Sequence, residues 1–179
     1  MLKVEEVVLV IVDVQGKLAQ LMQEKEQLFE NLRRMIQGIK ALGAPIIWAE
    51  HLPTKMGPTT PEVAEVLDGL HPIVKKTFSC CDCEEFILAL RGLKRRQALL
   101  AGIETHICVY QTVMDLTTLG YEVQVVSDAV SSRTAVNKQI GLERCKQVGA
   151  GLTGTETALF ELLRVAEGAK FKEILQIIK

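Results

Sequence analysis

A chain of 179 residues is long enough for one domain to bury a hydrophobic core without disulfide or metal staples. Its 21 Lys and Arg against 22 Asp and Glu leave a formal charge of −1 with the signs interspersed, so neither nucleic acid nor an anionic membrane is indicated as a partner. Apolar residues make up 48% and aromatics only 4%, which favours a core of Val, Leu and Ile such as a buried parallel sheet carries.

The first signal in the chain is "VVLVIVD" at residues 7–13, a continuous β-branched run that reads as a strand ending in an acid. Its apolar part, residues 7–12, is the longest in the sequence and far too short to span a bilayer. Glu5 and Glu6 stand where a signal peptide would carry basic residues, so a cytoplasmic protein is expected. Residues 24–43 place Leu28, Leu32, Met35, Ile36 and Ile39 at helical spacing. Strands are expected at 44–50 and 71–76, separated by a Pro- and Gly-bearing loop over 52–61 and a short proline-opened helix over 61–69. A helix over about 82–91 follows, then a strand at 96–102. Next come a helix over about 107–119, closed by Gly120, and a strand at 121–129 that also finishes in an acidic segment. Residues 136–150 read as helix, 151–153 as a short edge strand, 155–166 as a Thr-capped helix and 171–179 as a last amphipathic turn or two. No internal repeat or linker interrupts the pattern.

This alternation predicts an α/β fold: one domain over residues 1–179, with an open parallel sheet of six strands and helices on both faces. In such sheets ligands bind beyond the carboxyl ends of the strands, where the strand order reverses. With the order 3-2-1-4-5-6, Asp13 and the turn at 102–108 face each other across that crevice. The third strand brings the neighbourhood of Lys75 to the same rim.

Five cysteines cannot all pair within one chain, and in a reducing compartment each thiol reads as packing or chemistry. Cys108, placed by the pattern at a helix start, would feel the positive end of the helix dipole, which favours thiolate. Lys75 would lower its pKa further, and Asp13 could take its proton. Backbone N–H groups around Glu104 and Cys108 are placed to hold an oxyanion. Each residue has a plainer reading: a buried small hydrophobe for Cys108, a cap or turn former for Asp13, a solvated rim charge for Lys75. Their convergence at one rim favours the chemical reading.

"GIETHICVYQTVMDLTTLGYEVQVVSDAVSS", with "VIVDVQ" and "KKTFS", resembles the isochorismatase-like cysteine hydrolases, which include nicotinamidases and carbamoyl-group amidohydrolases. "AEHLPTKMGPTTPEV" and the terminal "TETALFELLRVAEGAKFKEI" resemble the isochorismatase-domain-containing subgroup in particular. The resemblance covers essentially the whole chain. It implies an Asp13, Lys75 and Cys108 triad, with Lys76 the rival because the doubled lysine leaves the register open. It implies hydrolysis of a small amide or carbamoyl C–N bond through a thioester. It also implies a cis peptide between Ile103 and Glu104, aiming the Glu104 amide at the oxyanion, and a homo-oligomer; Leu159, Leu162 and Leu163 could supply self-associating faces or equally belong to the core. Gln15 and His106 are the candidate substrate-binding residues.

No cofactor is expected. The turn after the first strand lacks a G-x-G-x-x-G run. Where nicotinamidases resemble one another in a zinc-binding Asp-x-His, this chain has "EHLP", with Leu52 at the first histidine's place and His51 expected to point elsewhere. "CCDC" at 80–83 has no second close pair of ligands to complete a closed metal site, so no metal is expected. Two alternatives remain: a non-catalytic binding protein on the same scaffold, and thiol redox chemistry at Cys80, Cys81 and Cys83.

Overall fold

Strand β1 (Val7–Val12) is buried along its whole length, because crossover helices cover both faces of an interior parallel strand. The computed structural model, which describes residues 1–179, continues through α1 (Gly16–Gln20) and α2 (Lys25–Leu42) to β2 (Ile46–His51). Then come α3 (Pro53–Met56), α4 (Pro61–Ala64) and β3 (Ile73–Lys75). A 3-10 turn at Cys80–Asp82 precedes α5 (Glu84–Gly92) and β4 (Gln97–Ile103), and a π-type turn at Thr105–Val109 leads into α6 (Tyr110–Thr118) and β5 (Glu122–Ser131). The chain closes with α7 (Ala135–Gln147), β6 (Gly151–Thr153), α8 (Thr155–Leu163) and α9 (Gly168–Ile178). The strands form one six-stranded parallel sheet in the order β3-β2-β1-β4-β5-β6, as expected from the alternation of strand and helix.

The pleat of β1 divides the core. Val7, Leu9 and Ile11 pack with α2, α8 and α9 through residues such as Leu32, Ile36, Leu159 and Ile174. Val8, Val10 and Val12 pack on the other face with Phe86 and Leu90 of α5, Val113 and Leu116 of α6 and Cys145 of α7. Leu159 and Leu162 are therefore core residues and Leu163 packs against the same cluster, which decides for the core reading of these leucines over the self-associating one. No helix is long and apolar enough to cross a membrane.

Element boundaries differ where side-chain periodicity is short. α1 and α3 have only 5 and 4 residues, too few to show a helical repeat in the sequence. The helix expected over 61–69 stops at Ala64 and continues as tight turns, with Leu67 N–H donating to the Ala64 carbonyl, before Gly69 takes a left-handed φ of 76°.

β1 and β4 leave no room for a side chain at Gly102. Gly102, at φ 118°, pairs with Val12, and a Cβ there would lie 2.1 Å from the Val12 carbonyl oxygen. Only glycine allows both the backbone angle and the contact. Gly102→Ala is expected to destabilise the protein by about 3 kcal/mol or more, measured by urea denaturation, because strain and overpacking coincide.

Candidate active site

Register in the central strands decides which side chains meet. β1 pairs Val12 with Ala49 of β2 and with Gly102 of β4, so the residue after Val12 emerges between both neighbours. That residue is Asp13, whose N–H donates to the Ala49 carbonyl at 3.1 Å. Its φ of 51° is left-handed, a conformation that Asp tolerates better than most residues, and the turn directs the carboxyl across the strand ends.

On β3 the pleat buries Ile73 and Lys75 and exposes Val74 and Lys76. Lys75 Nζ donates to Asp13 Oδ2 at 2.6 Å, to the Thr77 carbonyl at 3.0 Å and to the Phe78 carbonyl at 3.1 Å. All three ammonium protons are thereby used, and the side chains of the pair are 1% and 6% exposed, so solvent does not screen it. The structure thus brings Lys75 to Asp13 and leaves Lys76 at the surface.

Cys108 lies within the Thr105–Val109 turn, ahead of α6, and not at the first turn of that helix as expected. Two contacts hold the turn. Gly141 of α7 packs so closely that a Cβ would lie 2.6 Å from the Thr105 carbonyl carbon. Thr112 Oγ1 donates to the Cys108 carbonyl at 2.7 Å and accepts from Cys80 N–H at 3.0 Å. The peptide between Ile103 and Glu104 is cis. The Glu104 side chain turns away to Arg133, accepting from its Nε at 3.0 Å.

Electrostatics revise the picture of a ready-made thiolate. Burial pushes the Cys108 thiol up, the Asp13 carboxylate adds to the rise, and Lys75 counters only part of it. Burial likewise raises the Asp13 carboxyl above its ordinary value, against the pull of Lys75 and of the Cys108 thiol. Asp13 Oδ1 is buried without an N–H or O–H donor, and the thiol is the neighbour that can serve it. Burial thus works against ionisation of the thiol, which lies beside an Asp13 carboxyl anchored to Lys75.

Asp13 and Cys108 open on a cavity of about 180 Å³, lined also by Gln15, Leu18, His51, Met56, Phe78, Ile103, Glu104 and Ile107. Gln15 reaches it, but its amide is committed to backbone: Nε2 donates to the Gly57 carbonyl at 2.7 Å and Oε1 accepts from His51 N–H at 2.6 Å. It positions the loop after β2 from within the cavity wall. His106 does not line the cavity; its Nδ1 lies 2.9 Å from Ser132 Oγ because the turn rolls this side chain toward the end of β5. His51, expected to point elsewhere, lines the cavity instead. All five cysteines are free, and burial raises the Cys80 thiol to about 12. No group of three or more His, Cys, Asp and Glu side chains is placed to hold a metal ion.

An isochorismatase domain model matches residues 7–157, which takes in β1, the lysine strand and the cysteine turn. The chain belongs to the isochorismatase family. Isochorismatase domain-containing protein 2 of Xenopus laevis is 38% identical over 173 residues, covering 96% of this chain and 82% of that protein. A solved structure described as MAR1 ribonuclease from Caenorhabditis elegans superposes with a TM-score of 0.92 at 33% identity, over 99% of this chain and 91% of that one. The YcaC protein of Escherichia coli, described as an octameric hydrolase of unknown specificity, shares the fold with a TM-score of 0.93 at 23% identity, over 99% and 88% of the two chains. Membership of the isochorismatase family points to a hydrolase.

Proposed function

We propose that the chain is a cysteine hydrolase cleaving the C–N bond of a small amide or carbamoyl compound through a thioester on Cys108. The observation that carries this reading is the meeting of Cys108 with a Lys75-anchored Asp13 carboxylate in one small cavity, six of whose ten lining residues are hydrophobic. An apolar wall suits a compact neutral substrate, and water exclusion strengthens the few polar groups present.

In the first half-reaction Asp13 accepts the thiol proton as Cys108 sulfur bonds to the carbonyl carbon and the C=O electrons move onto oxygen. Backbone N–H groups of Glu104 and Cys108 receive that oxyanion; the Glu104 N–H makes no hydrogen bond within the chain and is free to do so. The C–N bond then breaks as Asp13 returns its proton to the leaving nitrogen, giving an amine or ammonia. In the second half Asp13 deprotonates water, oxygen bonds to the acyl carbon, and the C–S bond breaks with the proton passing back to sulfur. Lys75 keeps Asp13 ionised and oriented throughout. Self-association belongs to the same reading, supported by the octameric description of the YcaC protein that shares this fold.

The pH profile tests the proton path. Activity requires ionised Asp13, and its carboxyl is raised, so kcat/KM is expected to fall on the acid side with a midpoint above the ordinary carboxylate value of about 4. The thiol is raised as well, so no gain is expected near the ordinary thiol value of about 8.5. Wild-type protein mixed with small amides, ureas and matched esters should show an acyl adduct on Cys108 by intact-mass spectrometry. A rate that climbs through pH 8.5, or a complete lack of adduct and turnover, would sink the mechanism, and the latter result would favour a binding protein. Turnover of RNA in place of these small substrates would favour the ribonuclease description of the nematode relative. Against that stands a cavity lined by no lysine or arginine, with the three N–H bonds of Lys75 behind Asp13 already used within the chain.

A further inference from the structure

His51 ends β2, on the side of Asp13 away from Cys108. Along the order β2-β1-β4 the rim presents His51, Asp13 and the cysteine turn in succession, with the outer two about 10 Å apart at two strand spacings. His51 Nδ1 lies 3.2 Å from the Thr77 carbonyl oxygen. A carbonyl oxygen only accepts, so Nδ1 carries the proton, and Nε2 of the neutral ring keeps its lone pair. Nε2 has no partner in the chain, while the residue itself lines the cavity.

The ring is held from several directions. Its backbone N–H and carbonyl are both bound by the Gln15 amide, at 2.6 and 3.2 Å. Its face stacks on Phe78, with centroids 5.9 Å apart and planes within 14°. The Thr77 carbonyl that fixes Nδ1 also accepts from Lys75 Nζ at 3.0 Å, so the imidazole and the ammonium bound to Asp13 share one anchor. An acceptor this firmly placed, beside the group that must protonate the leaving nitrogen, has a use in reading that nitrogen.

We propose that His51 is a specificity-determining residue that selects substrates whose scissile nitrogen carries hydrogen: primary amides and carbamoyl compounds with a free NH₂. The inference rests on the thioester reading. With the acyl carbon at Cys108 sulfur and the oxyanion toward Glu104 N–H, the leaving nitrogen points along the rim to Asp13. The nitrogen lone pair then faces the proton held by Asp13, and one of its N–H bonds points on to His51 Nε2. An ester oxygen or a dialkylated nitrogen has no hydrogen to offer and sets a lone pair or a methyl group against the ring nitrogen. A site built to pair with an N–H rejects the analogue lacking it, because its own polar atom is left unmatched.

The test compares propionamide with methyl propionate, which share an acyl group, in wild type, His51→Phe and His51→Gln. Phe preserves a ring against Phe78 and removes the acceptor; Gln restores an acceptor at similar reach. His51→Phe is expected to lose about tenfold in kcat/KM on the amide. On the ester it should hold or rise, because the unmatched acceptor is gone, and His51→Gln should recover part of the amide rate. Equal losses on both substrates would overturn the proposal and leave His51 a packing residue. A turnover-independent arm separates this from failure of the thioester reading: Cys108→Ala protein is titrated with propionamide and N,N-dimethylpropionamide. A preference for the former that His51→Phe abolishes supports the assignment even if no acyl adduct ever forms. No preference, or one indifferent to His51, overturns it.

Discussion

Cys108→Ala protein is expected to lose about 10⁴-fold or more in kcat/KM on whichever amide the wild type cleaves, while keeping its fold. Removal of a covalent nucleophile deletes the whole two-step path, and only binding and the oxyanion contacts remain to assist direct attack by water. The stability change should be small. Cys108 is 9% exposed and borders a cavity, so the truncation removes one sulfur atom from a wall and does not open a void inside the packed core. Asp13 Oδ1 loses its thiol neighbour, but the enlarged pocket is open to water that can serve the carboxylate. A cost of about 1 kcal/mol lowers Tm by about 2–4 °C in a chain of this size. Steady-state kinetics beside thermal denaturation checks both halves. A loss of less than about tenfold would show that sulfur is not the nucleophile and that Asp13 acts on water directly.

The central rim was legible in the sequence because it depends on long elements. β1 is a six-residue β-branched run, and right-handed crossovers constrain its neighbours, so Asp13 opposite the 102–108 turn followed from topology alone. The choice between Lys75 and Lys76 had a signal too: Ile73 sits two residues before Lys75, and side chains two apart share a face of a strand. The missed features depend on three-dimensional detail. His51 faces the cavity because the Gln15 amide grips its backbone on both sides and Leu52 turns at φ 41°, neither of which periodicity encodes. The thiol was expected to be acidic from its place in the chain, yet its environment is set by burial and by Asp13, which outweigh Lys75. His106 shows the same limit, since one step around the turn separates the cavity from Ser132.

Lys75→Met is expected to destabilise the protein by about 3–5 kcal/mol, and the double variant Asp13→Asn/Lys75→Met to recover much of that loss without recovering activity. Methionine nearly matches the lysine stem in length, so the single variant keeps the packing but strands the Asp13 carboxylate, 6% exposed, with no cation. Removing one member of a buried pair costs far more than the pair contributes net, because the survivor remains desolvated. Asparagine at position 13 cancels the stranded charge and tolerates the φ of 51°, where a leucine would add backbone strain to the comparison. The double variant should still fall short of wild type by about 1–2 kcal/mol, since the Thr77 and Phe78 carbonyls have lost their shared donor. Urea denaturation with an unchanged m-value measures each step. A single variant within about 1 kcal/mol of wild type would show that water reaches the pair and that Asp13 is not held in the desolvated state the mechanism requires. If stability returns in the double variant while turnover does not, the ion pair is retained for the proton it manages and not for the fold it stabilises.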